Sequence, residues 1–206
     1  MMRRSRAGLA AVGVSITLVS TPLAAATTQP GSLGPGDWWY AALGIDELHE
    51  HGTGEGIVVA IVDSPIDATV PELDGVDLLS SESFCQLGGD PRPSTIEGPD
   101  ADHATAMTAL IAGNGRGTGP GGAGVRGVAP DAQLRHYAAL YYEGDGQEAA
   151  REGGMVCNMG GGYNWSGHRS VPAAITQAAE DGADIINVSI STQHGLDYAE
   201  AVLAAQ

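Results

Sequence analysis

Apolar positions along this chain fall into short unbroken runs separated by glycine, proline and acidic residues, not into one long amphipathic repeat. The clearest run, Ile57-Val58-Val59-Ala60-Ile61-Val62, is continuous and mostly β-branched, the mark of a strand covered on both faces, and it ends at Asp63. Residues 134–140 form a second strand candidate, and Ala183-Asp184 leads into a third from Ile185 to Ile190. Between these lie helical stretches. Residues 38–48 read as one short amphipathic helix capped by Asp37. A run of small residues, 103–112, is capped by Asp100 or Asp102 and closed by Gly113, which places His103 in a first helical turn. Residues 171–181 and 197–205 complete the helices. Strands alternating with helices predict an α/β fold with a parallel sheet and right-handed crossovers.

The connections carry a different signal. Residues 51–56 are turn-like, and 64–102 are rich in Pro, Ser, Asp and Glu with no sustained period, so they read as a long surface connection. A connection of that length inside a domain usually has a job. Residues 114–127 are a glycine-rich loop, 144–167 are again glycine-rich and resist assignment, and no internal repeat is evident.

The first residues are separate from this pattern. Arg3, Arg4 and Arg6 precede an apolar run over 7–19, and Ala24, Ala25 and Ala26 follow it, the layout of a secretory signal peptide. The run is short for a bilayer, so cleavage near Ala26 is expected instead of anchoring, and no later segment is apolar enough to span a membrane. The chain accordingly divides into a signal peptide (1–26), an extension with a short helix (27–56) and a domain (57–206). The net charge of −16, with only nine Lys and Arg, leaves no basic surface for phosphate contacts and excludes nucleic acid as a partner. An exported chain meets an oxidising environment, so its two cysteines, Cys85 and Cys157, are expected to form one disulfide.

Candidate chemistry lies at the ends of these elements. Asp63 stands at the carboxyl end of a buried parallel strand, where open α/β sheets place their sites. His103 opens a helix of small residues that can approach a sheet closely. Either residue alone is ambiguous, since a strand-end aspartate is about as often a cap, or suits ribose binding, and a surface histidine is commonplace. The order of four blocks is more informative: Ile61-Val62-Asp63-Ser64, then His103-Ala104-Thr105-Ala106-Met107, then Gly127-Val128-Ala129-Pro130, then Asp184-Ile185-Ile186-Asn187-Val188-Ser189.

These blocks resemble those of the subtilisin-like serine proteases, the subtilases, from about Gly54 to the end of the chain. The signal peptide and the Trp38-Trp39-Tyr40 lead-in resemble the mycosin-type branch of exported actinobacterial subtilases. The resemblance implies a three-layer fold with helices on both faces of a parallel sheet, incomplete at the C-terminus. It implies a secreted, monomeric serine endopeptidase acting on extended peptide or protein substrates, with Asp63 as triad acid and His103 as general base. Ser189-Ile190-Ser191 matches the strand that pairs with substrate backbone.

Departures accompany the match. Pro65, Ala104 and Ser191 each stand where the family has Gly, and no G-T-S-x-A block occurs within the 206 residues. Ser166, in Asn164-Trp165-Ser166-Gly167, lies between the histidine block and the substrate strand and lacks the strand-turn-helix setting of a nucleophile. The chain alone is therefore expected not to cleave peptides, the alternative being a degenerate subtilase-like module that binds them. A nucleotide-binding α/β protein is a distant third reading.

Other motifs carry less. His51-Gly52-Thr53 spells the family's histidine motif but precedes a strand, and His49-Glu50-His51 lacks the spacing of a helical zinc site. Glu72 stands near a position where relatives place a calcium ligand, but the rest of that site is not recognisable, so no metal or cofactor is expected.

Overall fold

The computed structural model describes residues 38–87, 90–141, 169–190 and 195–206. Its centre is a four-stranded, wholly parallel sheet formed by β1 (Val58–Asp63), β2 (Leu78–Ser83), β7 (Gln133–Ala138) and β8 (Ile185–Val188), in the order β2-β7-β1-β8. The six-residue apolar run becomes β1, whose last five residues are all buried, flanked by β7 on one side and β8 on the other. An interior parallel strand has no solvent face, which is why its sequence does not alternate.

Helices cover both faces of the sheet. On one face Ala60 and Val62 of β1 and Tyr137 of β7 pack against Val171, Ala174, Ile175 and Ala178 of α4 (Ser170–Glu180), with Ala201 of α5 (Leu196–Ala204) behind them. On the other, Val59 and Ile61 of β1 and Leu134 of β7 meet Ala112 and Ile111 at the end of α3 (Asp102–Ala112). The alternation of side chains along β1 divides these clusters, and it sends Asp63 to the α3 face.

The segment 64–102 is not only a surface connection. It contains β2, which forms an edge of the central sheet, and the short pairing of β3 (Gln86–Leu87) with β4 (Asp90–Pro91). The composition of β2, Leu-Leu-Ser-Ser-Glu-Ser, conceals it, because an edge strand buries little on either face. The glycine-rich 114–127 segment likewise folds, as an antiparallel hairpin of β5 (Asn114–Arg116) and β6 (Ala123–Arg126). The hairpin returns to α3 at Gly127, where any side chain would collide with the Ile111 and Ala112 backbone.

The expected helix over 38–48 is two, α1 (Trp38–Ala42) and α2 (Ile45–His49), broken at Gly44, whose φ of 64° is left-handed. Asp37, its expected cap, lies outside the described residues. Neither Asp100 nor Asp102 caps α3: Asp102 is its first residue, preceded by a 3-10 turn over Pro99–Ala101, and no side chain caps it. The last strand stops at Val188, two residues short of the predicted end. Among the described residues no helix is long and apolar enough to cross a membrane.

Candidate functional site

Asp63 is the last residue of β1, carried to the C-terminal edge of the sheet and buried completely. Two backbone bonds from the end of β7 fix its main chain, since the amides of Ala139 and Leu140 both donate to its carbonyl, at 2.7 and 3.3 Å. The Ser64 amide donates to Oδ1 at 2.6 Å, while buried Oδ2 has no hydrogen-bond partner among the described residues. Such an orphan oxygen costs folding free energy, and sites of chemistry are where that cost is tolerated.

His103 is the second residue of α3. Ala104 and Ala109 on the inner face of this helix pack against Ile66 and Leu73, small residues that let the helix sit close to the sheet. The ring reaches Asp63, with Nδ1 2.7 Å from Oδ1, while 44% of the side chain is exposed. Because the carboxylate can only accept, Nδ1 carries the hydrogen, leaving Nε2 free to accept in the neutral ring. Among the described residues Nε2 has no hydrogen-bond partner. The geometry makes a buried acid orienting a half-exposed base, an arrangement able to take a proton from a nucleophile that faces Nε2.

The remaining sequence candidates divide. Ser189, just past β8, is exposed, and its hydroxyl exchanges hydrogen bonds with the Asn187 side chain at 2.9 and 3.3 Å. Both residues border an apolar groove of about 520 Å³ whose other wall includes Met107 and Leu110 of α3 and Trp39 of α1. Ile190 is half-buried against the α4 face of the core, and Ser191 lies outside the described residues. Cys85 is fully buried beside Tyr141, whereas Cys157 and Ser166 lie outside the described residues.

His136 and Ser81, linked to Ser64 beside Asp63, stand in none of the four ordered blocks of the sequence. His136 of β7 is fully buried on the α3 face, with Nε2 2.8 Å from the Ser64 carbonyl oxygen and Nδ1 2.9 Å from Ser81 Oγ of β2. Burial pushes its pKa down to about 4, against the weaker opposing pull of the Ser64 carbonyl and the Asp63 charge. Its apolar neighbours on that face, Ile61 and Leu134, give a strand pattern that singles out no histidine for chemistry. The alternation that buries Leu134 is the available signal, since it places residue 136 on the same face.

Residues 54–205 match the model of the subtilase family. The chain belongs to the subtilase family. It is 31% identical over 171 residues to Mycosin-1 of Mycobacterium tuberculosis (strain ATCC 25618 / H37Rv), an alignment covering 81% of the chain and 34% of that protein. It is 30% identical over 172 residues to the minor extracellular protease Vpr of Bacillus subtilis (strain 168), covering 74% of the chain and 17% of Vpr. This subtilase sequence thus spans about a third or less of the curated relatives it matches. Its fold matches MycP1 from Mycobacterium smegmatis with a TM-score of 0.54 at 22% identity, over 85% of the chain and 45% of that structure. MycP3 protease from the type VII (ESX-3) secretion system matches with a TM-score of 0.53 at 23% identity, over 87% and 44%. The subtilase sheet order and the helices on both of its faces agree with the three-layer expectation.

Proposed function

We propose that this chain is the acid- and base-bearing part of a secreted subtilase endopeptidase that cuts extended peptide or protein substrates. The observation that carries the reading is the 2.7 Å bond between Asp63 at a strand end and His103 at a helix start, in a chain whose blocks follow the family order. In this reading Asp63 holds the His103 tautomer and stabilises the imidazolium formed when Nε2 takes the proton of a serine nucleophile. That serine is not Ser166; it belongs to a G-T-S-x-A block, which residues 1–206 do not contain. Residues 1–206 therefore do not hydrolyse peptides by themselves, because loss of a triad nucleophile costs on the order of 10⁶ in turnover, a figure measured in subtilisin itself.

Ser189-Ile190-Ser191 is the segment along which the substrate backbone pairs, supported by the exposed position of Ser189 at the end of a strand that has only one described neighbour. Residues 1–26 are removed as a signal peptide, 27–56 form the extension, and 57–206 supply the first part of the catalytic domain. Export is consistent with the extracellular protease named among the relatives. The disulfide joins the buried Cys85 to Cys157, and the product is monomeric.

The test is to express residues 27–206 alone and together with whatever coding sequence follows Gln206, and to assay both on an unstructured protein substrate. Hydrolysis by the longer product, abolished by Asp63→Asn or His103→Ala, is the expected result. A longer product that binds peptides without cutting them would overturn the endopeptidase and leave a peptide-binding module in its place.

A further inference from the structure

Ser64 is gripped at both ends of its own backbone. Its amide donates to Asp63 Oδ1 at 2.6 Å, and its carbonyl accepts from His136 Nε2 at 2.8 Å. A carbonyl only accepts, so Nε2 carries the hydrogen of His136, and Nδ1 is the bare nitrogen that takes the Ser81 hydroxyl hydrogen at 2.9 Å. The ring is thus fixed in one tautomer by β2 on one side and by the loop after β1 on the other. An aliphatic side chain at position 136 would suit the neighbouring Ile61 and Leu134 but leave the Ser64 carbonyl without this donor.

We propose that His136 is a positioning residue: by holding the Ser64 carbonyl from β7 it keeps the Ser64 amide on Asp63 Oδ1 and so aims the carboxylate at His103. The line Ser81–His136–Ser64–Asp63–His103 crosses three elements of the sheet and ends at α3. His136 touches neither substrate nor nucleophile in this scheme; it acts through Ser64. A ring that stays neutral suits the task, since an imidazolium at this depth would compete with His103 for the Asp63 charge. Burial keeps it so by pushing its pKa down to about 4.

The proposal rests on the Asp63–His103 pair but can be tested without proteolysis, by proton–nitrogen NMR of the full chain labelled at histidine. Native protein should show His136 as the Nε2–H tautomer, and the His103 Nδ1–H as a far-downfield, slowly exchanging resonance. His136→Gln extends an amide to the place of Nε2 and should preserve that His103 resonance. His136→Asn reaches only the place of Nδ1, loses the Ser64 carbonyl, and should make the His103 proton exchange with water about fivefold faster, the effect of one hydrogen bond. Ser81→Ala, a small change on an edge strand, should leave Nδ1 of His136 without its donor, loosen the ring that the Ser64 carbonyl alone then holds, and speed the His103 exchange in the same direction. If the Asn and Ala variants fold, by circular dichroism, and their His103 resonance matches the native one, His136 only fills space and the proposal is overturned. A native chain with no His103 Nδ1–H resonance overturns the acid–base pair itself, a separate failure.

Discussion

Asp63 and His103 share a 2.7 Å bond across a sharp change of environment, the carboxylate wholly buried and the imidazole nearly half in solvent. The acid therefore cannot be reached by water, whereas the base can. Asp63→Asn removes the negative charge that stabilises the imidazolium, and since the Ser64 amide and the ring both bond Oδ1, an NH₂ at that place would face two donors and force the other tautomer. In a protein that includes the nucleophile, turnover should fall by on the order of 10⁴, as for triad acids of other serine proteases. Thermal melts of the variant should stay cooperative, so that the loss is read as chemistry and not as unfolding.

Acid should destabilise the fold through His136. In the unfolded chain its imidazole takes a proton near 6.5, but in the folded chain only near 4. Between those values the unfolded state binds more protons, so stability drops as pH falls from about 6.5 to 4, by up to about 3 kcal/mol. Urea unfolding midpoints measured at a series of pH values from neutral downward check this. The same series in His136→Gln should lose most of its slope.

Tyr137 ties the opposite face together. Its hydroxyl donates to Asp181 Oδ2 at 2.7 Å, joining β7 to the residue that closes α4. That bond, assisted by Gln177, holds the Asp181 carboxyl below the usual carboxylate range. Tyr137→Phe should cost about 1 kcal/mol and let the Asp181 carboxyl titrate at higher pH, as carbon-detected NMR would show.

Gly127 should tolerate no side chain. A methyl group there meets the main chain of Ile111 and Ala112, which cannot step aside without moving the end of α3. Gly127→Ala should lower stability by about 1–3 kcal/mol, readable as a shifted midpoint in urea. A variant as stable as the native chain would mean that the hairpin and α3 pack loosely enough to admit the methyl group.

What could be read from the residues follows from how much each element buries. β1 announced itself because a strand flanked on both sides must be apolar throughout. β2 did not, since Leu78–Ser83 lies at the sheet edge and half of it is serine. The hairpin over β5 and β6 was hidden by its glycines, which serve close backbone approach and leave little side-chain pattern. Gly44 split a helix that periodicity alone made continuous. Asp63 and His103 drew notice through the ordered blocks they stand in, since a strand end and a helix start are each ambiguous alone, whereas His136 did not. Its importance comes from contacts with Ser64 and Ser81, residues 72 and 55 positions away in the chain.

Strand order also sets a schedule for assembly. Both neighbours of β1 come from far downstream, β7 from 133–138 and β8 from 185–188. Asp63 emerges early in synthesis, but the amides after β7 that hold its carbonyl and the α4 helix that covers its strand follow much later. Because such distant pairings must wait for the intervening chain, a nascent polypeptide carries the acid and the base without their alignment. The acid–base pair is therefore among the last features of this sheet to be completed, although Asp63 is among its first residues to be made.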